Sequence, residues 1–171
     1  DTVYQQLADF AEANPASEGG RTNIVMDEPE NSNYNIGEMP VDDYSQASLD
    51  SFADFDGAAI VVIGRGGGEG GDLATSMEAW DDNAEPGQHQ LELNKDEKDL
   101  VELAKANFDV VVVVVNASTS MELGILEDDA EIDGIIQAGS GGQNGFDALG
   151  RVLSGEVNPS GHTVDLYARD F

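Results

Sequence analysis

The charged side chains best placed to do chemistry lie in a glycine-rich loop at residues 64–72. The residues of this loop other than glycine are Arg65, Glu69 and Asp72. The loop follows a predicted apolar strand. Within it, residues 66–71 match the G-x-G-x-x-G spacing with which backbone N–H groups bind the pyrophosphate of a dinucleotide. However, Glu69 and Asp72 would repel that anion, and no Gly-Lys-Ser/Thr follows as in a Walker phosphate loop. The sequence therefore disfavours nucleotide binding.

A calcium-loop pattern is present at residues 81–92. Acidic or amide side chains stand at alternate positions at its start, and Glu92 occupies the twelfth place. The sixth place is Pro86, where a calcium loop needs glycine for its sharp turn. The pattern is thus more typical of a solvated acidic loop, and we expect only weak binding of cations somewhere on this acidic surface.

Other candidate ligands are few. His89 and His162 are the only histidines, they lie far apart in the sequence, and the chain has no cysteine. We therefore predict no metal site, no Ser-His-Asp triad and no cofactor. Trp80 and Tyr34 could stack on a sugar, although single aromatic residues more often serve packing.

The elements that must position these loops alternate along the chain. Continuous apolar runs predict buried parallel strands at 58–63 and 110–115, and a further strand is predicted at 132–138. Between them, apolar residues at helical spacing predict a helix at 96–108, with Asp96 as its N-cap. Other helices are predicted at 2–13, 46–54, 121–126 and 146–153, short strands at 22–26 and 163–167, and a long acidic loop at 27–44.

This alternation predicts an α/β fold: a three-layer α/β/α sandwich with a mostly parallel sheet, flavodoxin-like in style. In such sheets ligands bind beyond the carboxyl ends of the strands. The loops at 64–72, 116–120 and 139–145 fall there. We expect one domain over residues 1–171, of which 1–57 form the less regular N-terminal part.

The charge balance excludes several partners. Asp and Glu total 35 and Lys and Arg only 7, so the net charge is −28. Nucleic acid and anionic membranes are disfavoured because both need basic residues on the protein. No signal-peptide pattern opens the chain and no apolar run approaches about 18 residues, so a cytoplasmic location is favoured. Because the acids are spread along the chain, they are typical of a solvated acidic surface. Such a surface indicates either a halophilic-like protein or an engineered one.

Several motifs follow one another in a characteristic order between residues 58 and 167. An apolar strand leads to Arg65 and a Gly-Glu-Gly-x-Asp loop at 68–72, and a valine-rich strand, a second glycine-rich loop and an Asn-Pro-Ser-Gly turn at 158–161 follow. In order and spacing this series resembles the α/β sandwich domain of glycoside hydrolase family 3, the β-glucosidase and β-xylosidase family, and its clostridial members in particular. A weaker match extends to residues 35–38 and 52–54.

The resemblance implies the two-carboxylate chemistry of a retaining glycosidase. In this family the Glu of the Gly-Glu-Gly-x-Asp loop is the usual acid/base, a role that carries over to Glu69. Such an acid protonates the leaving oxygen while a second carboxylate, about 5–5.5 Å away, attacks the sugar. We expect Arg65 and Asp72 to contact an oligosaccharide or β-glucoside substrate. For Arg65 the alternatives are that it holds Glu69 or forms a structural ion pair with a neighbouring acid.

The resemblance also implies a partner. The nucleophile of the family lies on a separate (β/α)₈ barrel domain, which needs about 250 further residues. We therefore expect this chain to supply Glu69 to a barrel carried elsewhere and to be inactive in isolation. The chain departs from the family pattern at Gly71, Leu73, Gln137 and His162, where bulkier, apolar or basic residues are usual. The alternative is a non-catalytic, highly acidic scaffold or binding domain, either salt-adapted or redesigned.

Overall fold

The computed structural model of the protein describes residues 38–55, 57–65, 74–79, 81, 84–139, 141–164 and 166–170. The helix predicted at 2–13, the strand predicted at 22–26 and most of the predicted acidic loop lie outside these residues.

Three parallel strands form the sheet of the described region. They are β1 (Ala59–Arg65), β2 (Val111–Ala117) and β3 (Gly134–Gln137), in the order β1-β2-β3. The register aligns Arg65 with Ala117, so the carboxyl ends of β1 and β2 meet at one edge. The predicted α/β class with a parallel sheet is confirmed, and each strand lies one or two residues from its predicted limits.

The helices connect and flank these strands, and α2 supplies most of the helix contacts with β1 and β2. None of the described helices is long and apolar enough to cross a membrane. The α-helices of the described residues are α1 (Gln46–Ser51), α2 (Lys95–Asn107), α3 (Gly124–Glu127) and α4 (Gly142–Leu153), and short 3₁₀ segments occupy Val41–Asp43, Phe52–Asp54 and Met77–Ala79.

The start of α2 corrects one prediction. The N-cap is Asn94 and not Asp96, which lies in the first turn. The Asn94 Oδ1 accepts from the Glu97 N–H at 2.8 Å, and the Glu97 carboxylate accepts from the Asn94 N–H at 2.7 Å. This reciprocal pair is a capping box, which satisfies two N–H groups that a helix start otherwise leaves without partners.

The core lies on one face of the sheet. Odd-numbered residues of β1 and β2, such as Val61, Ile63 and Val113, are fully or almost fully buried there, against Val101 and Ala104 of α2. Because side chains alternate along a strand, Arg65 lies on this same face, above the last apolar layer.

The opposite face of β1 differs from the prediction. The continuous apolar run predicted burial on both faces, but Ile60 and Val62 are 42% and 39% exposed. The neighbouring Val114 of β2 is fully buried. Among the described residues, β2 therefore has buried side chains on both faces of the sheet, whereas β1 has them on one face only.

The strand predicted at 163–167 is wrong for the residues that the structure describes there. Val164 and Leu166 are 97% and 96% exposed and form no strand. An alternating apolar pattern makes a strand only where a neighbour accepts its hydrogen bonds and covers one face. The chain returns to the core just afterwards: the Leu123 N–H donates to the Ala168 carbonyl, and a side chain on Gly124 would collide with the backbone of Arg169.

Candidate active site

Arg65 lies at the carboxyl end of β1 and its side chain is held from several directions. Its Nε donates to Oε1 of Glu97 at 2.7 Å, and its Nη2 donates to Oε2 of the same carboxylate at 2.6 Å. The two side chains are only 7% and 1% exposed. A buried, two-bond pair of this kind fixes the plane of the guanidinium as well as its position.

The same guanidinium binds the segment that leads into α2. Its Nη1 donates to the Gln90 carbonyl at 2.8 Å and its Nη2 to the Glu92 carbonyl at 2.6 Å. The buried Gln88 supports this segment from within, because its side-chain amide donates to the Leu93 carbonyl at 2.9 Å. Strand end, connecting segment and helix start are thus joined through one cation.

Glu97 takes part in two structures at once. Its carboxylate completes the capping box at Asn94 and accepts both bonds from Arg65. A carboxylate with several hydrogen-bond donors and a partner cation can be buried in its charged form. This explains how an acid comes to be 1% exposed in the core.

A second carboxyl group, Glu38, lies at the other side of the same strand end. Its Oε1 accepts from the Gly64 N–H at 3.4 Å. The pKa of Glu38 is raised to about 7, mainly by burial. The Gly64 N–H lowers this pKa, the nearby charge of Glu97 raises it and Arg65 lowers it, and the value of about 7 includes all four effects. Burial, and then the charge of Glu38, likewise raise the pKa of Tyr44.

The carboxyl ends of β2 and β3 bring one more polar side chain to this edge. Gln137, which departs from the family pattern, donates from Nε2 to the Ala117 carbonyl at 2.9 Å and so joins the two strand ends. Its Oε1 is buried without a hydrogen-bond partner, as is the Oε1 of Gln90.

Of the predicted site residues, the structure describes Arg65. The ion pair with a neighbouring acid, one of the alternatives for this residue, is present, and the acid is Glu97. Glu69 and Asp72 lie outside the described residues, so their predicted roles, and substrate contact by Arg65, stay predictions.

The rival ligand patterns find little support among the described residues. These contain no cluster of three or more His, Asp or Glu side chains able to hold a metal ion. In the calcium-like loop, Glu92 accepts from the His89 N–H at 2.7 Å, which is a local turn contact. His162 is exposed, and Trp80 and Tyr34 lie outside the described residues.

The sequence reasoning missed Glu97 and Glu38 as parts of this strand end. Glu97 had a readable signal, since an Asn three residues before a Glu at a helix start is a capping-box pattern. Glu38 had none beyond its place in the weakly matching segment 35–38. Its contact with Gly64 joins residues 26 positions apart, which periodicity cannot reveal.

Comparison with known proteins gives a family and one related enzyme. The family model described as "Glycosyl hydrolase family 3 C-terminal domain" matches residues 1–170. "Beta-glucosidase A" of Butyrivibrio fibrisolvens is 34% identical over 122 residues, which cover 64% of this chain and 15% of that protein. This chain therefore matches only a small part of that relative's length. No solved structure gives a significant match to the chain.

The family model spans almost the whole chain, and the parallel α/β architecture agrees with it. The protein belongs to glycoside hydrolase family 3 and carries that family's C-terminal-type α/β domain.

Proposed function

We propose that this domain supplies Glu69 as the acid/base for β-glycoside hydrolysis to a (β/α)₈ barrel domain that carries the nucleophile. The substrate is an oligosaccharide or β-glucoside, in line with the name of the Butyrivibrio relative. The chain is inactive without the barrel because a retaining mechanism needs two carboxyl groups, one to protonate the leaving oxygen and one to attack the sugar.

The observation that carries the proposal is the fixed position of Arg65. This residue is four positions before Glu69 and is held by bonds to Glu97, Gln90 and Glu92. A loop whose first residues are fixed by a buried ion pair can deliver a carboxyl group to a defined place. Precise placement is what general acid catalysis requires.

In this proposal Arg65 acts mainly by fixing the strand end, and Asp72 contacts the sugar. Asp72 follows Glu69 by three residues in a loop that is otherwise rich in glycine. We expect such a sequence to leave room for a substrate because glycine has no side chain.

The test is hydrolysis of aryl β-glucosides by the chain alone, by a family 3 barrel domain alone and by the two mixed. We expect activity only in the mixture, and we expect Glu69→Gln to lower it about 10²–10⁴-fold. The loss should be largest for a phenyl glucoside and much smaller for a dinitrophenyl glucoside, whose leaving group needs no proton.

The matched control is Glu78→Gln, which removes an exposed carboxylate from the same chain. This variant should behave like the unchanged protein. If the mixture with Glu69→Gln hydrolysed both glucosides as fast as the mixture with the unchanged protein, the acid/base role would be refuted. A mixture that never gains activity would favour the alternative, a non-catalytic acidic scaffold or binding domain.

A further inference from the structure

The end of β1 has a hydrogen-bond donor on the side that faces away from β2. The Ala59 N–H donates to the Val110 carbonyl at 2.9 Å, so the N–H groups of odd-numbered residues in β1 point towards β2. Since these groups alternate along a strand, the Gly64 N–H points the other way. There the carboxyl group of Glu38 accepts from it at 3.4 Å.

Among the described residues, the charged and titratable groups that act on Glu38 are Arg65, Glu97 and the phenol of Tyr44. Arg65 already makes both of its carboxylate bonds to Glu97. A charged Glu38 repels the carboxylate of Glu97, so burial of Glu38 in its charged form is costly.

The two carboxyl groups hold two different parts of the same strand end. Glu97 holds the side chain of Arg65 on the core face, and Glu38 holds the backbone of Gly64 at the strand's other edge. The two contacts thus act on neighbouring residues, one on a side chain and one on the backbone. The glycine-rich loop follows directly.

We propose that Glu38 is a positioning residue for the glycine-rich loop: its carboxyl oxygen holds the Gly64 N–H and so fixes the backbone direction in which the chain continues towards Glu69. This inference rests on the proposed function for its catalytic consequence, while the contact itself can be tested without any activity. A displacement of about 1 Å in a catalytic group can lower a rate about 10²-fold, so even one such restraint matters.

The first test uses the chain alone and follows the Gly64 amide by NMR. Glu38→Gln keeps an acceptor oxygen and loses the ionisable group, whereas Glu38→Ala loses both. We expect the Gly64 amide shift to titrate near pH 7 in the unchanged protein and not in Glu38→Gln. Amide exchange at Gly64 should be at least about 10-fold faster in Glu38→Ala and little changed in Glu38→Gln.

The matched control is Asp42→Ala, an exposed acid on the neighbouring 3₁₀ segment. It should leave the exchange rate and the titration of Gly64 unchanged. Equal exchange of the Gly64 amide in the unchanged protein and in Glu38→Ala would overturn the proposal. So would a titration near pH 7 that persists in Glu38→Gln, since another group would then be responsible.

The second test measures β-glucoside hydrolysis in the mixture with the barrel. Glu38→Ala should lower kcat about 10-fold with little change in KM, and Glu38→Gln should restore most of the loss. An unchanged kcat in Glu38→Ala, despite faster exchange at Gly64, would overturn the positioning role. If even the unchanged mixture is inactive, the proposed function fails together with that role, and the NMR result alone still decides whether Glu38 holds Gly64.

Discussion

The guanidinium of Arg65 and the carboxylate of Glu97 form a buried ion pair through two parallel hydrogen bonds of 2.7 and 2.6 Å. The pair links the last residue of β1 to the first turn of α2, 32 positions along the chain. Because the pair lies above the last apolar layer of the core, the packing of this strand end against α2 depends on it.

Removing one partner of this pair should destabilise the domain strongly. Arg65→Met leaves the Glu97 carboxylate buried without its cation, which costs about 3–5 kcal/mol. We expect a corresponding loss in the free energy of unfolding measured with urea. The double variant Arg65→Met/Glu97→Leu should recover part of it, because no buried charge then lacks a partner.

The control for the ion pair is Lys95→Ala. Lys95 and Asp99 form an exposed i,i+4 pair whose side chains are 62% and 40% exposed. Exposed pairs contribute at most about 1 kcal/mol. If Arg65→Met and Lys95→Ala changed stability equally, the structural importance of the Arg65–Glu97 pair would be contradicted.

Replacing the N-cap of α2 should cost a smaller but measurable amount. Asn94→Ala removes the acceptor of the Glu97 N–H and should lower the free energy of unfolding by about 0.5–2 kcal/mol. Asn107→Ala, at the exposed C-terminal end of the same helix, should change it by less than about 0.5 kcal/mol. Asp96→Ala, which was expected from the sequence to affect the cap, should leave the capping hydrogen bond intact.

Glu38 should make stability depend on pH between 4.5 and about 7. Its pKa is raised from 4.5 to about 7 by burial. A raised pKa means that the folded state binds the proton more tightly than the unfolded state. The stability that Glu38 contributes is therefore complete below pH 4.5 and is lost as the pH rises through 7, by about 3 kcal/mol in total.

The measurement is urea unfolding from pH 4.5 to 8 in 0.5 M NaCl, which suppresses the repulsion among the other acids. Glu38→Gln has no proton to lose, so its stability should fall less over this range than that of the unchanged protein. Parallel curves for the two proteins would show that the Glu38 proton does not contribute.

The net charge of −28 should make the domain more stable in salt. Salt screens self-repulsion, so the melting temperature should rise steeply at low NaCl concentrations and level off as the Debye length falls below about 5 Å. If salt instead stabilised the domain because its ions are excluded from the protein surface, the melting temperature would keep rising into the molar range. A melting temperature that is indifferent to salt would contradict the interpretation of the acids as a repelling surface.

Local sequence patterns were enough to predict the α/β class, the parallel strands and the family. Short apolar runs rich in β-branched residues, such as Ala59–Ile63 and Val111–Val115, favour strands, and the glycine-rich and Asn-Pro-Ser-Gly motifs are recognised from the spacing of neighbouring residues. These signals are readable because each arises within a few residues. The capping box at Asn94 is also a local pattern, although the prediction from the sequence placed the N-cap two residues later, at Asp96.

Tertiary contacts select the acids at the end of β1. Among the acids that the structure describes, Glu97 contacts Arg65 and Glu38 contacts Gly64, across 32 and 26 positions, which no local pattern encodes. The exposure of Val164 and Leu166 has the same origin, because an apolar alternation becomes a strand only if a neighbouring strand is there to pair with it. Local chemistry thus predicted the elements, whereas burial and partner choice depended on how distant segments pack around the end of β1.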